Sequence, residues 1–441
     1  MSKHYAGALN QNNNNKNNTN FSVRAVCSAN RPVTYDISFQ SIVEAYEDCL
    51  SNKRGSPDYL EFTINYQEEL HALWDEIRYG EYTPMASRSF VIVWPVYREI
   101  FAAQFRDRII HHWWALRINP LFESRHQQIG DVAMNCRKGH GQLVAIKAIQ
   151  RMLDEHPDWW IGHFDIEAFF INIDKALLFE MLDIFIRDNY QGDDIDTVLF
   201  ITRQLVFNAP QENAIKLGGD RLWSNVPARK SLFAKPSGKG CAIGNLPSQI
   251  NANFLGSVLD YYVVHVKGHR NYLRFSDDIF MLLPTRAAYA DLLPELKRFL
   301  NEQLLLNLHP KKIYIQPAHK GVLYVGAMIL PGRTYISNRT RGRMYNKLYY
   351  YNRMAEDGKA EQYLEKFVQS MNSYLGMTVH HSAYNVRAKF AQRVSPIWWK
   401  YVYMSNGYKT FVIKKQFKPS EKLKSVVKSK KYREILTPDL L

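Results

Sequence analysis

The sequence predicts an α+β protein with an antiparallel sheet, and three stretches carry that expectation. Tyr272-Leu273-Arg274-Phe275 and Ile279-Phe280-Met281-Leu282-Leu283 are runs rich in apolar and aromatic residues, separated by Ser276-Asp277-Asp278. That is the pattern of a tight β-hairpin. Trp159-Trp160-Ile161-Gly162-His163-Phe164 reads as a further strand, ending at Asp165. The Gly-, Asn-, Pro- and Ser-rich block Gly240-Cys241-Ala242-Ile243-Gly244-Asn245-Leu246-Pro247-Ser248-Gln249 opens a helix. Its apolar residues Phe254, Leu255, Val258, Leu259, Tyr262 and Val263 recur with a 3.6-residue period.

Taken in order, the 441 residues divide into four parts, enough for two or three subdomains around a substantial core. Residues 1–34 contain the Asn-rich run Asn10 to Asn20, which has no apolar surface to bury and is expected to be mobile. Residues 35–150 are expected to be largely helical around Phe101 to Leu116. Residues 151–330 hold the strand, the helix and the hairpin. Residues 331–441 read as helical and basic. Between Lys409 and Arg433, ten Lys or Arg stand against one acid, Glu421. Such a run is either a solvated arm or a phosphate-tracking surface whose affinity falls steeply with salt. There is no internal repeat.

A formal net charge of +15 favours a polyanionic partner, with a membrane surface as the rival reading. No apolar run reaches about 18 residues, so a transmembrane span is not expected. No basic-then-apolar leader opens the chain. Cys27, Cys49, Cys136 and Cys241 lack Cys-x-x-Cys spacing. They read as reduced thiols of a cytoplasmic protein rather than a disulfide frame or zinc site.

The chemistry centres on carboxylates. Adjacent Asp277 and Asp278 are costly to hold together without a cation, and their oxygens suit a hard ion, above all Mg²⁺. A solvated turn explains an isolated Asp-Asp pair equally well. A strand that brought Asp165 beside the hairpin tip would set three carboxylates on one sheet edge. Two divalent ions there can activate an attacking hydroxyl and stabilise the leaving oxygen of an in-line phosphoryl displacement. The alternative is that Asp165 caps a helix beginning near Glu167.

The order Asp165-Ile166-x-x-Phe169-Phe170, Ile243-Gly244-Asn245-x-x-Ser248-Gln249 and Phe275-x-Asp277-Asp278 resembles the palm motifs of reverse transcriptases. The Ile-Gly-Asn version is most similar to the diversity-generating retroelement type and related prokaryotic enzymes, including phage-defence reverse transcriptases. Arg98 to His112 and Asn135 to Gly141 resemble the fingers of this group. Leu306 to Ile313 resembles the motif after the catalytic hairpin, Lys320 to Gly326 the primer-grip hairpin, and Ser373-Tyr374-Leu375-Gly376 a thumb signature. Residues 80 to 385 are covered in order. The resemblance implies a right-hand polymerase: fingers over 35–150, palm over 151–330 with part of the fingers between the catalytic blocks, and a helical basic thumb and tail over 331–441.

It also implies roles. Asp165, Asp277 and Asp278 would be catalytic and would hold Mg²⁺, or Mn²⁺ in its stead, with the Ile166 carbonyl completing a coordination shell. Phe170 would lie beneath the incoming sugar and exclude a 2′-hydroxyl, with core packing beside Phe169 as the alternative. Arg137 and Lys138, in a glycine-flanked loop, suit a triphosphate, unless the loop is merely solvated. Lys312, with Lys311 beside it, matches the lysine that protonates departing pyrophosphate. Gly244 would let nucleotide or template approach the backbone. Ile243 replaces the Gln of retroviral-type enzymes, which predicts low fidelity. Asn245, Ser248 and Gln249 would orient the template, although capping of the following helix accounts for Asn245 and Ser248 as well. Phe275 keeps the ring of the usual Tyr, and Ser276 would lie near the primer end. Val96 replaces a lysine of the fingers while Arg98 is kept, and His111 and His112 read as packing residues.

The leading expectation is therefore an RNA-directed DNA polymerase that uses dNTPs with an RNA template or a dedicated non-coding RNA and makes a DNA product in phage defence. A diversity-generating reverse transcriptase, a polymerase of restricted output and a catalytically silent RNA-binding scaffold are the alternatives. Intact Asp165, Asp277 and Asp278 argue against silence. An accessory protein or a homo-oligomer is a further expected partner, a membrane is not.

Overall fold

The computed structural model describes residues 34–51, 57–93 and 96–418. The Asn-rich run, Cys27 and the basic positions beyond Lys418 lie outside the described residues. The α+β class is observed, with the helices and strands interleaved along the chain.

The chain enters through α1 (Phe39–Leu50), started by Ser38, whose side chain accepts from the Ser41 amide. It continues through α2 (Tyr66–Arg78) into an antiparallel hairpin of β1 (Arg88–Ile92) and β2 (Arg98–Ala102). Phe101 therefore sits in a strand, and the helix expected around it begins only at Phe105. The reason is Glu99: its carboxylate accepts from the Leu232 amide at 2.7 Å and from the Ser231 hydroxyl, which ties this segment down as a strand. α3 (Phe105–Ile129) ends at Gly130, whose φ of 106° stops the helix in the left-handed region. Trp113 and Trp114 are fully buried on neighbouring positions of α3 because α1 and later helices pack around it. α4 (Gln142–Glu155) follows.

Next come β3 (Trp160–Ile166), α5 (Lys175–Asn189), α6 (Ile195–Phe207) and a short β4 (Ile215–Lys216) that pairs parallel with β1. α7 (Leu246–Tyr261) matches the predicted periodic helix. The predicted hairpin is β5 (Tyr272–Phe275) and β6 (Asp278–Leu283). α8 (Arg286–Leu304) and β7 (Leu308–Pro317) complete the central sheet, a four-stranded antiparallel sheet in the order β5-β6-β3-β7.

This sheet is covered on both faces, which explains why β6 is a continuous apolar run rather than an alternating one. Ile279, Met281 and Leu283 face a core shared with α7 and α8, while Phe280 and Leu282 join Leu273 and Ile161 against Ile146, Ile149 and Leu153 of α4. β8 (Val322–Tyr324), β9 (Ala327–Leu330) and β10 (Arg333–Ile336) form a separate meander. The C-terminal described part is helical: α9 (Asn338–Glu356), α10 (Ala360–Val379) and α11 (Tyr384–Gln392) surround their own core, closed by the hairpin of β11 (Val402–Ser405) and β12 (Thr410–Ile413). Phe367 and Trp398 stack there with centroids 4.0 Å apart. Among the described residues no helix is long and apolar enough to cross a membrane. Among the described residues, Cys136 and Cys241 are free thiols.

Candidate active site

The sheet register assembles the carboxylates. Asp165, near the end of β3, lies directly opposite Asp278 at the start of β6. Such paired residues have Cβ atoms about 4.5–5.5 Å apart. Asp277 occupies the two-residue turn between β5 and β6, and its carbonyl accepts from the Ile166 amide at 2.9 Å. Asp165 therefore belongs to a strand and does not cap a helix.

On its other edge β3 meets an irregular β7. Phe164 pairs with Ile313, yet Ile166 pairs with Leu308, so residues 309–312 bulge out of register. Lys312 stands at the edge of the irregularity, one residue from the Ile313–Phe164 pair and so level with Asp165, and its Nζ donates to Asp165 Oδ2 at 2.6 Å. Lys311 makes no such contact; its amide donates to His309 Nδ1 at 3.2 Å.

Charge in the cluster is unbalanced: three carboxylates stand at this edge, and the Lys312 ammonium pairs with Asp165. Desolvation, followed by repulsion from Asp278 and Asp165, pushes the Asp277 carboxyl up to about 6. Among the described residues, no group of three or more His, Cys, Asp or Glu converges into a ready-made metal cage. The donor set nonetheless fits a hard divalent cation in kind: the oxygens are carboxylate oxygens, they meet at one sheet edge, and their mutual repulsion is what such an ion relieves.

Ser276, beside the two acids, has a φ of 61°. It stands at the first central position of the turn, where a II′ hairpin needs a positive φ and normally has glycine. For a residue with a Cβ this costs about 1–3 kcal/mol and persists only where the surroundings over-determine it.

The other predicted residues are placed as follows. Phe169 is core, whereas Phe170 is half-buried and edge-on to it at 5.7 Å; the Phe170 carbonyl accepts from the Cys241 amide. Ile166 is buried. Phe275 is half-buried beside the α4 core. Ser248 is half-buried and Gln249 exposed on the first turn of α7.

Three residues have different surroundings from those expected. The Arg137 side chain is only 2% exposed. Its guanidinium is engaged by Glu123, Asp131 at 2.7 Å and the Ala133 carbonyl at 3.0 Å, so it braces its loop; Lys138 beside it is exposed. Gly244 (φ 122°) does allow a close approach, but of protein backbone. A Cβ there would lie 2.7 Å from the Phe101 carbonyl, and the Ile243 carbonyl accepts from the Phe101 amide. Asn245 sits at the N-cap position of α7 without capping it; its Oδ1 accepts from the Ala103 amide at 3.3 Å. The Ile243–Asn245 segment is thus fastened to β2.

Several contributors escape the motif reading. Tyr324, buried in β8, donates its hydroxyl to the Asp278 carbonyl at 2.8 Å. His163 Nε2 lies 3.5 Å from Asp278 Oδ1, at the limit of a hydrogen bond. Arg274 and Asp260 form a fully buried ion pair behind the hairpin. An Arg inside an otherwise apolar strand was a visible signal that a buried partner had to exist.

No protein-family model matches the chain, and no curated protein matches it. Among solved structures, it is similar to telomerase from Candida albicans in complex with the TWJ fragment of telomeric RNA, at 12% identity and a TM-score of 0.41, over 72% of this chain and 56% of that one. It is also similar to apo telomerase from Candida tropicalis, at 9% identity and a TM-score of 0.43, over 70% of this chain and 58% of that one. The chain thus spans a little over half the length of each of these structures.

Proposed function

We propose that the chain is an RNA-directed DNA polymerase that joins dNTPs to a primer 3′-hydroxyl. The observation that carries this reading is the placement of Asp165, Asp277 and Asp278 at one sheet edge, with the Lys312 ammonium on Asp165. A buried structural salt bridge needs one acid for one base; three acids at one edge, with a lysine paired to one of them, suit a site that binds further positive charge.

A divalent cation, Mg²⁺ or Mn²⁺, held by Asp165, Asp277 and Asp278 with the Ile166 carbonyl would polarise the attacking hydroxyl and offset charge on the leaving oxygen. The chain's own groups do the rest. Lys312 stands within the cluster, where its ammonium can neutralise and protonate pyrophosphate as it departs. Exposed Lys138 is the cation of the Asn135–Gly141 loop free to meet a triphosphate, because Arg137 is committed to Glu123 and Asp131. Half-buried Phe170 presents a ring one turn beyond Asp165, in keeping with selection against a 2′-hydroxyl. The net charge of +15 favours the RNA template and DNA product as partners. Phage defence with a dedicated non-coding RNA is the setting we propose from the sequence motifs.

The test is to purify the chain with the RNA it retains, add labelled dNTPs and Mg²⁺, and sequence the DNA, with Asp277→Asn as control. A product complementary to the RNA and absent from the control is expected. RNA retention with no incorporation under any primer condition would sink the polymerase in favour of an RNA-binding scaffold.

A further inference from the structure

The strained turn is held from behind by side chains that no catalytic motif accounts for. Both backbone polar groups of Ser276 are engaged: its amide donates to Asn135 Oδ1 at 2.8 Å, and its carbonyl accepts from Arg274 Nη1 at 3.1 Å. Arg274 is itself immobilised. Its Nε donates to Asp260 Oδ1 and its Nη2 to Asp260 Oδ2, each at 2.7 Å, and Nη2 also reaches Asn253 Oδ1 at 3.1 Å. Tyr272 donates its hydroxyl to the same Asp260 at 2.7 Å. Gly256 of α7 makes room for the guanidinium, since a Cβ there would lie 2.3 Å from Arg274 Cζ.

The network also reaches the loop before α4. Asn253 Nδ2 donates to the Asn135 carbonyl at 3.1 Å. Val132 to Met134 runs beside β5, with the Arg274 amide donating to Val132 and the Met134 amide donating to Arg274. Asn135 is thus the junction between the loop that carries Lys138 and the turn that carries Asp277.

We infer that Arg274 and Asn135 are positioning residues: they lock Ser276 in its left-handed conformation and so aim Asp277 and Asp278. The arrangement has the marks of a built device. Asn135, Asn253, Asp260, Tyr272 and Arg274 are all buried, the donors and acceptors are matched, and half-buried Ser276 is gripped at both its N–H and its C=O. Misplacing reacting groups by about 1 Å can cost on the order of 10²-fold in rate, so a loosened turn should show first in the chemical step.

The effect on rate rests on the polymerase reading; the effect on the turn does not, and the experiment separates them. The full-length chain is compared with Asn135→Ala, which deletes the acceptor for the Ser276 amide, and with Arg274→Lys, which keeps a cation for Asp260 but loses the planar fork. Amide hydrogen exchange is followed in the 272–283 segment, together with Tm and primer-extension kinetics in Mg²⁺. Both variants are expected to exchange faster at the turn and to lose about tenfold or more in kcat with the KM for dNTP unchanged, Asn135→Ala doing so at nearly wild-type Tm. Exchange and kcat at wild-type values in both variants, or a raised KM with kcat intact, would overturn the inference. A wild-type chain that incorporates nothing, while Asn135→Ala still unlocks the turn, retires the polymerase reading and leaves the positioning role standing.

Discussion

Two ionic clusters share the β5–β6 hairpin, and they are built on opposite terms. Behind it, Asp260 and Arg274 are wholly buried, matched one to one, with the fork of the guanidinium filled on both oxygens. At its tip, Asp165, Asp277 and Asp278 share one edge with one lysine, paired to Asp165, whose side chain is about half exposed, 49% by area. The first cluster is electrostatically complete, which is what a brace requires. The second is left incomplete, which is what a site that takes up a charged ligand requires. A hairpin that joins them transmits the rigidity of one to the reactivity of the other.

The largest effect should come from breaking the complete cluster. Arg274→Met strands a buried carboxylate and is expected to cost about 3–5 kcal/mol, seen as a large fall in Tm. Arg274→Met combined with Asp260→Leu removes both charges and should recover most of that stability. Polymerase activity should not return with it, because the Ser276 carbonyl has lost its donor while Asn135 still holds the amide. Recovery of activity with stability would erase the distinction between the two clusters.

Lys312→Met probes the incomplete one. The pair is half-exposed, so Tm should move little, while incorporation should fall about 10²-fold if the ammonium serves the leaving group. A wild-type rate would move Lys312 to a structural role.

Asp107 sharpens the comparison, because it is raised to about 6 without any cluster of acids. Burial is the main cause; the Met85 amide at 3.0 Å, the Arg106 charge and the Tyr82 hydroxyl at 3.2 Å oppose it, and Glu76 adds to it. The folded carboxyl thus holds its proton more tightly than the unfolded one, whose pKa is about 3.9. Stability from this group is therefore present at acid pH and lost as pH rises from about 4 through about 6. Asp107→Asn should flatten that segment of the stability-against-pH curve and raise Tm at pH 7 relative to wild type. An unchanged slope between those pH values would refute the assignment. The smallest effect is expected from Ser276→Gly: relief of the positive φ should add about 1 kcal/mol to stability, offset in part by the entropy of glycine, while the turn loosens.

The strand, hairpin and helix that build the site were legible because each has a clear hydrophobic period and a sharp turn signal. The carboxylates could be named because the order of the three blocks resembles reverse-transcriptase palm motifs; spacing alone left a solvated turn and a helix cap open. Lys312 could be named but not separated from Lys311, because only the register that sets Ile313 opposite Phe164 shows which of the two lysines stands level with Asp165. The Glu123 and Asp131 partners of Arg137 were not legible, because a loop cation looks the same in sequence whether it will meet a phosphate or a carboxylate. Its partner Asp131 lies only a few positions away and was the available clue. Gly244 announced a close approach correctly, yet the identity of the approaching group is a tertiary fact. The Asn135–Arg274–Asp260 brace was invisible because its members come from three separate segments.

The central position of β3 also has a consequence for biogenesis. Both of its partners, β6 and β7, are encoded far downstream, so at about 5–20 residues per second the nascent chain carries β3 without them for on the order of ten seconds. During that interval Trp160 to Ile166 offers two bare edges, a template for association with other chains. The strand that organises the active site is therefore also the point at which synthesis is most exposed to aggregation, and chaperone supply and translation speed should govern how much active protein a cell obtains.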